Sequence, residues 1–172
     1  MSNTTTGLKA GVVAGIVYGI LDGVFAFIAL TVFKSIVMAE LQKEASSLSS
    51  IGGITISAQT LYNAALVSAF IVSILVGIVG GLILGAIFGA VYHRVPGRNA
   101  TYKGLAFGFI LWVILNVLLG ITNIFTYNLT YYLFGIGGGL IAAMVYGYLV
   151  GFLFGKWNVA NAPKPEELQT FP

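Results

Sequence analysis

Five glycines recur at every fourth position of an apolar stretch near the start of the chain, and this spacing restricts the fold more than any other feature. They are Gly7, Gly11, Gly15, Gly19 and Gly23. Residues four apart share one face of an α-helix, so these glycines form a groove into which a second helix backbone can settle. Such rows are typical of helices that pack in lipid, where apolar surface alone does not drive association. The sequence therefore predicts a closely packed membrane bundle.

Two further apolar stretches carry rows of small residues with the same spacing. One contains Ala65, Ala69, Ser73, Gly77, Gly81, Gly85 and Gly89, and the other contains Gly135, Gly139, Ala143, Gly147, Gly151 and Gly155. The third predicted helix has fewer glycines and is expected to be the bulkier member of the bundle. The glycines predicted to make helix contacts are Gly11, Gly15, Gly19, Gly23, Gly77, Gly81, Gly85, Gly89, Gly139, Gly147 and Gly151.

Residues 11–19, 81–89 and 139–147 resemble one another, each with an aromatic residue before the closing glycine. Duplication of a helical unit would explain the similarity. Convergence of apolar sequences on a small set of residue types explains it equally well.

The composition places the chain among integral membrane proteins. Of its 172 residues, 58% are hydrophobic and 8% are charged, against about 25% charged in soluble domains. The net charge of +3 comes from scattered residues and does not form the basic stripe of a nucleic-acid-binding protein. Absence of cysteine excludes disulfides and thiolate sites, and a single histidine excludes a multi-histidine metal site.

The apolar segments predict an all-α fold, a polytopic membrane protein with four transmembrane helices in one domain, residues 1–157. The predicted spans are residues 8–33, 61–91, 104–125 and 131–155. Residues 34–60 turn polar but keep apolar side chains at helical spacing, which predicts an amphipathic outer arm followed by a loop. Residues 158–172 contain three prolines and are expected to form a cytoplasmic tail that is peripheral or disordered.

The positions of the basic residues predict the orientation in the cell membrane. With four spans, six of the eight fall on one side, namely Lys9, Arg94, Arg98, Lys103, Lys156 and Lys164. Lys34 and Lys43 fall on the other side. Because basic residues concentrate in cytoplasmic segments, both termini are predicted to be cytoplasmic.

Asp22 is the one acid inside a predicted span, and it lies beside the glycine face of its helix. An ionisable group at membrane depth suggests a functional site, here for a proton or cation. It also suits a structural role, as a protonated carboxyl that is hydrogen-bonded to Tyr18 or to Asn116 on the third helix. These three residues form the candidate intramembrane polar site.

Other polar and aromatic residues give weaker indications. Arg94, Arg98 and Lys103 are candidates for contact with anionic lipid headgroups, although they also serve as topology signals. Trp112 and Tyr146 are interpreted as packing or interface aromatics. Glu40 and Glu44 are interpreted as the solvated face of the arm, with too few ligands around them for a metal.

The segment 92–112 contains Tyr-His-Arg-Val-Pro-Gly, then Lys103-Gly104, Phe107-Gly108 and Trp112. It resembles a loop-and-helix pattern of small uncharacterised four-helix membrane proteins from archaea and bacteria, which are described only as domains of unknown function. The resemblance covers about an eighth of the chain. It implies a break between the second and third helices and carries no assigned activity.

These observations lead to two functional expectations. The first is a non-enzymatic structural or accessory subunit, in contact with the bilayer and with other membrane subunits or copies of itself. The second is a small channel or transporter centred on Asp22. No combination of nucleophile and base can be placed, so we expect no catalytic residue, no cofactor and no bound metal.

Overall fold

The computed structural model describes residues 2–52 and 56–160, and these are helical apart from short connections. The elements are α1 (Asn3–Val32), α2 (Lys34–Gly52), α3 (Ala58–Val91), α4 (Ala100–Trp112), a π segment (Val113–Leu118), a 3₁₀ turn (Leu119–Ile121), α5 (Thr122–Thr126) and α6 (Leu129–Ala160). Four stretches are long and apolar enough to cross a membrane, namely Asn3–Val32, Ala58–Val91, Ala100–Thr126 and Leu129–Asn158. The predicted all-α fold with four membrane-crossing helices is confirmed.

The membrane-crossing helices begin earlier than the apolar pattern suggests, because polar residues cap them. Ser2 accepts a hydrogen bond from the Thr5 amide at the start of α1, and Ser57 accepts one from Thr60 at the start of α3. Such side chains satisfy amide groups that have no partner within the helix. α3 therefore has 34 residues and a length of about 51 Å, which exceeds the ~30 Å hydrocarbon core.

The outer arm α2 is helical as far as Gly52, but it is not a continuation of α1. The two helices are separated at Phe33, whose ring packs on Tyr131 and Phe134 of α6 at 5.5 and 5.6 Å between centroids. α2 packs along the start of α3 and buries Val37 and Ala45. The loop predicted after the arm lies partly outside the described residues, as do Lys164 and most of the predicted tail.

Glycines bring α1 and α3 together in an antiparallel pair. A Cβ atom added at Gly11 would meet the carbonyl oxygen of Gly81, and one added at Gly81 would meet that of Gly11. The same relation holds between Gly15 and Gly77. Because backbone lies opposite backbone along this interface, no side chain fits there without moving a helix.

A second antiparallel pair consists of α4 and α6. A Cβ atom at Gly104 would meet the Gly147 carbonyl oxygen, and one at Gly108 would meet that of Ala143. Over this stretch α4, the third predicted span, approaches α6 as closely as α1 approaches α3. Gly135 differs from the expectation for its row, because no atom lies within 4 Å of a Cβ placed there.

The two pairs are joined through α1 and α6, which pack on each other. α3 and α4, the outer helices of this row, approach at one end, where the Phe88 and Phe107 rings lie 5.3 Å apart. Phe88 is fully buried and also contacts Phe154 at 5.3 Å between ring centroids. This aromatic cluster closes the bundle at the end that carries the N-terminus and the α3–α4 loop.

Candidate functional site

The acid predicted to be functional, Asp22, is half-buried on α1 and faces α3. Its Oδ2 atom accepts a hydrogen bond of 2.9 Å from the Ser73 hydroxyl. Ser73 itself is buried, with 9% of its surface exposed. Neither Tyr18 nor Asn116, the two predicted partners, is the residue that binds Asp22, because the antiparallel α1–α3 register places Ser73 beside the carboxyl group.

A cavity of about 140 Å³ lies between α3 and the π segment, with α1 and α6 behind it. Its aromatic and polar lining consists of Tyr18, Tyr146, Trp112 and Asn116. Val76, Gly77, Gly80, Gly81 and Leu84 of α3 line the opposite wall, which is apolar. The structure thus brings Tyr18 and Asn116 to one cavity, whereas Asp22 is not among the lining residues.

Hydrogen bonds and ring contacts fix two of the aromatic walls. The Trp112 indole N–H donates to the Ile136 carbonyl oxygen at 3.0 Å, and the Tyr146 hydroxyl donates to that of Gly81 at 3.3 Å. The rings of Tyr18 and Tyr146 meet edge to face with centroids 6.1 Å apart. Trp112 and Tyr146 were interpreted from the sequence as packing residues, since aromatic residues in apolar spans carry no signal that marks a cavity.

Asn116 belongs to the π segment and lies directly against Gly139 of α6. π-helical turns inside α-helices are frequent at functional sites, because the wider turn interrupts the regular hydrogen bonding and redirects side chains. Within residues 2–52 and 56–160, the structure gives the Asn116 amide no hydrogen-bond partner, and the same holds for the Tyr18 hydroxyl. Both groups therefore keep hydrogen-bonding capacity, and both residues line the cavity.

The loop between α3 and α4 is held to the bundle by Lys103. Its ammonium group donates to the Tyr92 carbonyl oxygen at 2.9 Å and lies 4.5 Å from the centre of the Tyr92 ring. Gly97 has a φ of 149°, which favours glycine and forms the predicted turn after Pro96. Arg94 and Arg98 are exposed and accessible to headgroups, whereas Lys103 is half-buried and engaged within the protein.

The N-terminus and the end of α6 meet this loop. The Asn3 Nδ2 atom lies 3.0 Å from His93 Nε2. The Asn3 Oδ1 atom accepts a hydrogen bond of 3.2 Å from Asn158 Nδ2. The predicted grouping of Lys9, the α3–α4 loop and Lys156 at one end of the bundle agrees with this arrangement.

At the opposite end, the arm α2 lies close to the turn that precedes α6. Lys43 and Glu40 form an ion pair of 2.8 Å. Burial, together with the nearby Glu44 and Glu40, raises the pKa of Tyr127 above its usual range. Throughout the described part of the chain, no three His, Asp or Glu side chains come close enough together to hold a metal ion.

Comparisons of the chain with protein-family models, with curated proteins and with solved structures found no match. The resemblance of residues 92–112 to small four-helix membrane proteins therefore stays a prediction.

Proposed function

We propose that this protein is a non-enzymatic membrane protein that serves as a structural or accessory subunit of a larger membrane assembly. The observation that carries the structural role is the hydrogen bond between Asp22 and Ser73. Asp22 is the one acid in α1, and its carboxyl group joins α1 to α3. A carboxyl group used in this way stabilises helix pairing, as polar contacts between transmembrane helices commonly do.

The outer arm supports a role in contact with other chains. α2 extends for 19 residues beside the membrane domain, and its apolar residues Val37 and Ala45 are buried within the protein. The remaining face exposes Gln42, Lys43 and Glu44. An exposed polar helix anchored on one apolar side offers hydrogen-bonding and charged groups to a partner outside the lipid.

The glycine rows pack mainly on helices of the same chain and leave little of their surface for a partner. Gly11, Gly81, Gly104 and Gly147 all contact the facing helix of the same chain. Association is therefore expected through the arm and the lipid-facing side chains. The cell membrane is the proposed location, with both ends of the chain on the cytoplasmic side.

The proposal is tested by the mass and composition of the particle extracted from its native membrane in a mild detergent. The chain alone has a mass of 18.1 kDa. We expect native mass spectrometry to show a larger particle with a fixed stoichiometry of further chains, or of copies of this chain. A particle that contains one copy alone, at every detergent concentration that keeps it folded, would contradict the proposal.

The transport hypothesis makes the opposite prediction for Asp22. If the carboxyl group carries a proton or cation, liposomes with the wild-type protein will show ion flux that Asp22→Asn abolishes. If the carboxyl group is structural, as we propose, flux through the two proteins will be equal to that of protein-free liposomes. Flux that depends on Asp22 would replace the subunit proposal with the transport one.

A further inference from the structure

The cavity between α3 and the π segment contains polar groups that the packing of the bundle does not use. Tyr18 and Asn116 both line it, and neither the Tyr18 hydroxyl nor the Asn116 amide has a hydrogen-bond partner within the described part of the chain. Leaving a hydroxyl or amide without a partner in an apolar medium is costly. A ligand that accepts hydrogen bonds from these groups would remove that cost.

The size of the cavity indicates the size of the group that fits it. Its volume is about 140 Å³. An apolar cavity of ~150 Å³ in another protein holds one benzene molecule. Trp112, Tyr18 and Tyr146 surround this volume, and aromatic side chains favour offset or edge-to-face contacts with another ring. The cavity therefore fits a six-membered ring better than a bulky or branched group.

The cavity opens toward the lipid. Val76 and Leu115 stand at its edge and expose 60% and 45% of their surface. Gly80 of α3 also lines the cavity, and a Cβ atom added there would have no atom within 4 Å. A molecule dissolved in the bilayer can therefore enter between α3 and the π segment while its apolar tail stays in the lipid.

We propose that this cavity binds the ring of a lipid-soluble quinone. The ring lies among Trp112, Tyr18 and Tyr146, and its carbonyl oxygens accept hydrogen bonds from the Tyr18 hydroxyl and the Asn116 amide. The tail leaves past Val76 and Leu115. An acyl chain would fill the same volume but would leave both polar groups without partners. The inference goes beyond the proposed subunit role, and its test uses the chain on its own.

Binding is measured through the fluorescence of Trp112, because quinones quench indole fluorescence at short range. The chain has two tryptophans, so Trp157→Phe leaves Trp112 as the one reporter. We use this variant in phospholipid nanodiscs and add a decyl-substituted 1,4-benzoquinone. The chain has no cysteine that could react with the ring. We expect quenching that saturates, above the linear quenching of a tryptophan-containing transmembrane peptide in the same lipid.

Two glycine variants provide a matched pair. Gly80→Leu places a side chain in the cavity mouth, whereas Gly135→Leu places one at a site on α6 that is equally open but lies away from the cavity. We expect Gly80→Leu to weaken binding at least tenfold and Gly135→Leu to leave it within twofold. Equal affinity of the two variants would overturn the assignment of the site. If Gly80→Leu does not fold, Gly80→Val gives the same comparison with a smaller side chain.

Two further tests address the hydrogen bonds. Tyr18→Phe and Asn116→Leu are each expected to weaken quinone binding about fivefold, the usual effect of losing one hydrogen bond. Decylbenzene, which has the ring and the tail but no oxygen, should restore half of the Trp112 fluorescence only at concentrations at least tenfold above that of the bound quinone. Equal displacement by decylbenzene, or quenching that never saturates, would overturn the proposal.

Discussion

Asp22 and Ser73 are joined by one hydrogen bond of 2.9 Å across the α1–α3 interface, and this bond explains how a carboxyl group is accommodated at membrane depth. A charged side chain in hydrocarbon is costly unless it is paired or neutral. Ser73 provides a donor in a buried position, so the carboxyl group has a partner within the protein. The contact also fixes the register of the two helices at a point where the glycines Gly19 and Gly23 end their row.

Replacing Ser73 by alanine tests this role. Ser73→Ala removes the donor and adds no atom, and we expect the free energy of unfolding in mixed micelles to fall by about 0.6–2 kcal/mol. Asp22→Asn keeps an acceptor oxygen and should cost less. Ser68→Ala is the matched control, because Ser68 is exposed on the same helix and bonds only to Ala65 of its own turn. Equal effects of Ser73→Ala and Ser68→Ala would show that the interhelical bond contributes nothing measurable.

The sequence identifies Asp22 but not its partner, for a physical reason. A carboxyl group in an apolar span is conspicuous in any sequence. Ser73 looks like one more small residue in the row of α3. Its role depends on the antiparallel register of α1 and α3, which brings it beside a residue 51 positions away in the chain. Tyr18 and Asn116, which were chosen with Asp22, share a cavity instead.

At the scale of helices, two backbone-to-backbone interfaces organise the molecule. A helix with glycine at every fourth position can approach another helix closely, and the gain in dispersion contacts and weak backbone contacts compensates for the missing side chains. The α1–α3 pair uses Gly11, Gly15, Gly77 and Gly81 in this way. The α4–α6 pair uses fewer glycines, and beyond Gly108 its bulkier Asn116 lies against Gly139.

Neighbouring glycines on α3 allow a direct test of these contacts. Gly81→Ala places a methyl group against the Gly11 carbonyl oxygen, so the helices must separate, and we expect a loss of roughly 1–3 kcal/mol in stability. Gly80→Ala changes the adjacent residue, where the methyl group meets no atom within 4 Å. It should leave stability unchanged or raise it by up to about 1 kcal/mol, because alanine favours the helix.

Thermal unfolding of the two variants in the same detergent measures the difference. Two alanine variants that unfold at the same temperature would contradict the close contact between α1 and α3.

The sequence pattern predicts the faces of the helices better than their partners. A row of glycines marks the face that packs, and the structure places a facing helix on most of it. The row does not specify which helix faces it, because all the rows share one spacing. The π segment was not predicted, since Val113–Leu118 is composed of ordinary apolar residues with Asn116 among them.

At the scale of the whole molecule, the two helix pairs resemble each other. The residues of α3 and α6 that lie at the same depth are not the ones that the sequence similarity pairs. Residues 81–89 correspond in depth to residues 147–155, since Phe88 and Phe154, each followed by a glycine, meet in the aromatic cluster at one end of the bundle. The sequence comparison had aligned residues 139–147 instead. A row with a repeat of four residues matches itself when shifted by two turns, so the sequence alone does not choose between the registers.

The arrangement of the ends predicts the sidedness of the protein. The N-terminus, the α3–α4 loop and the end of α6 meet at one end, as the contacts of Asn3 with His93 and Asn158 show. The arm α2 follows one membrane crossing and lies at the other end. Because basic residues concentrate at the first end, we predict that it faces the cytoplasm.

The natural absence of cysteine makes single-cysteine labelling a clean measurement of this sidedness. Thr4→Cys and Ser47→Cys replace exposed residues of similar size, one at each end. In intact cells, a maleimide that does not cross membranes should label Ser47→Cys, and it should label Thr4→Cys only after permeabilisation. The reverse pattern would show that the positive charge of the loop does not set the orientation. Equal labelling of both sites in intact cells would contradict the membrane crossing of α1, because the two residues lie on either side of that helix.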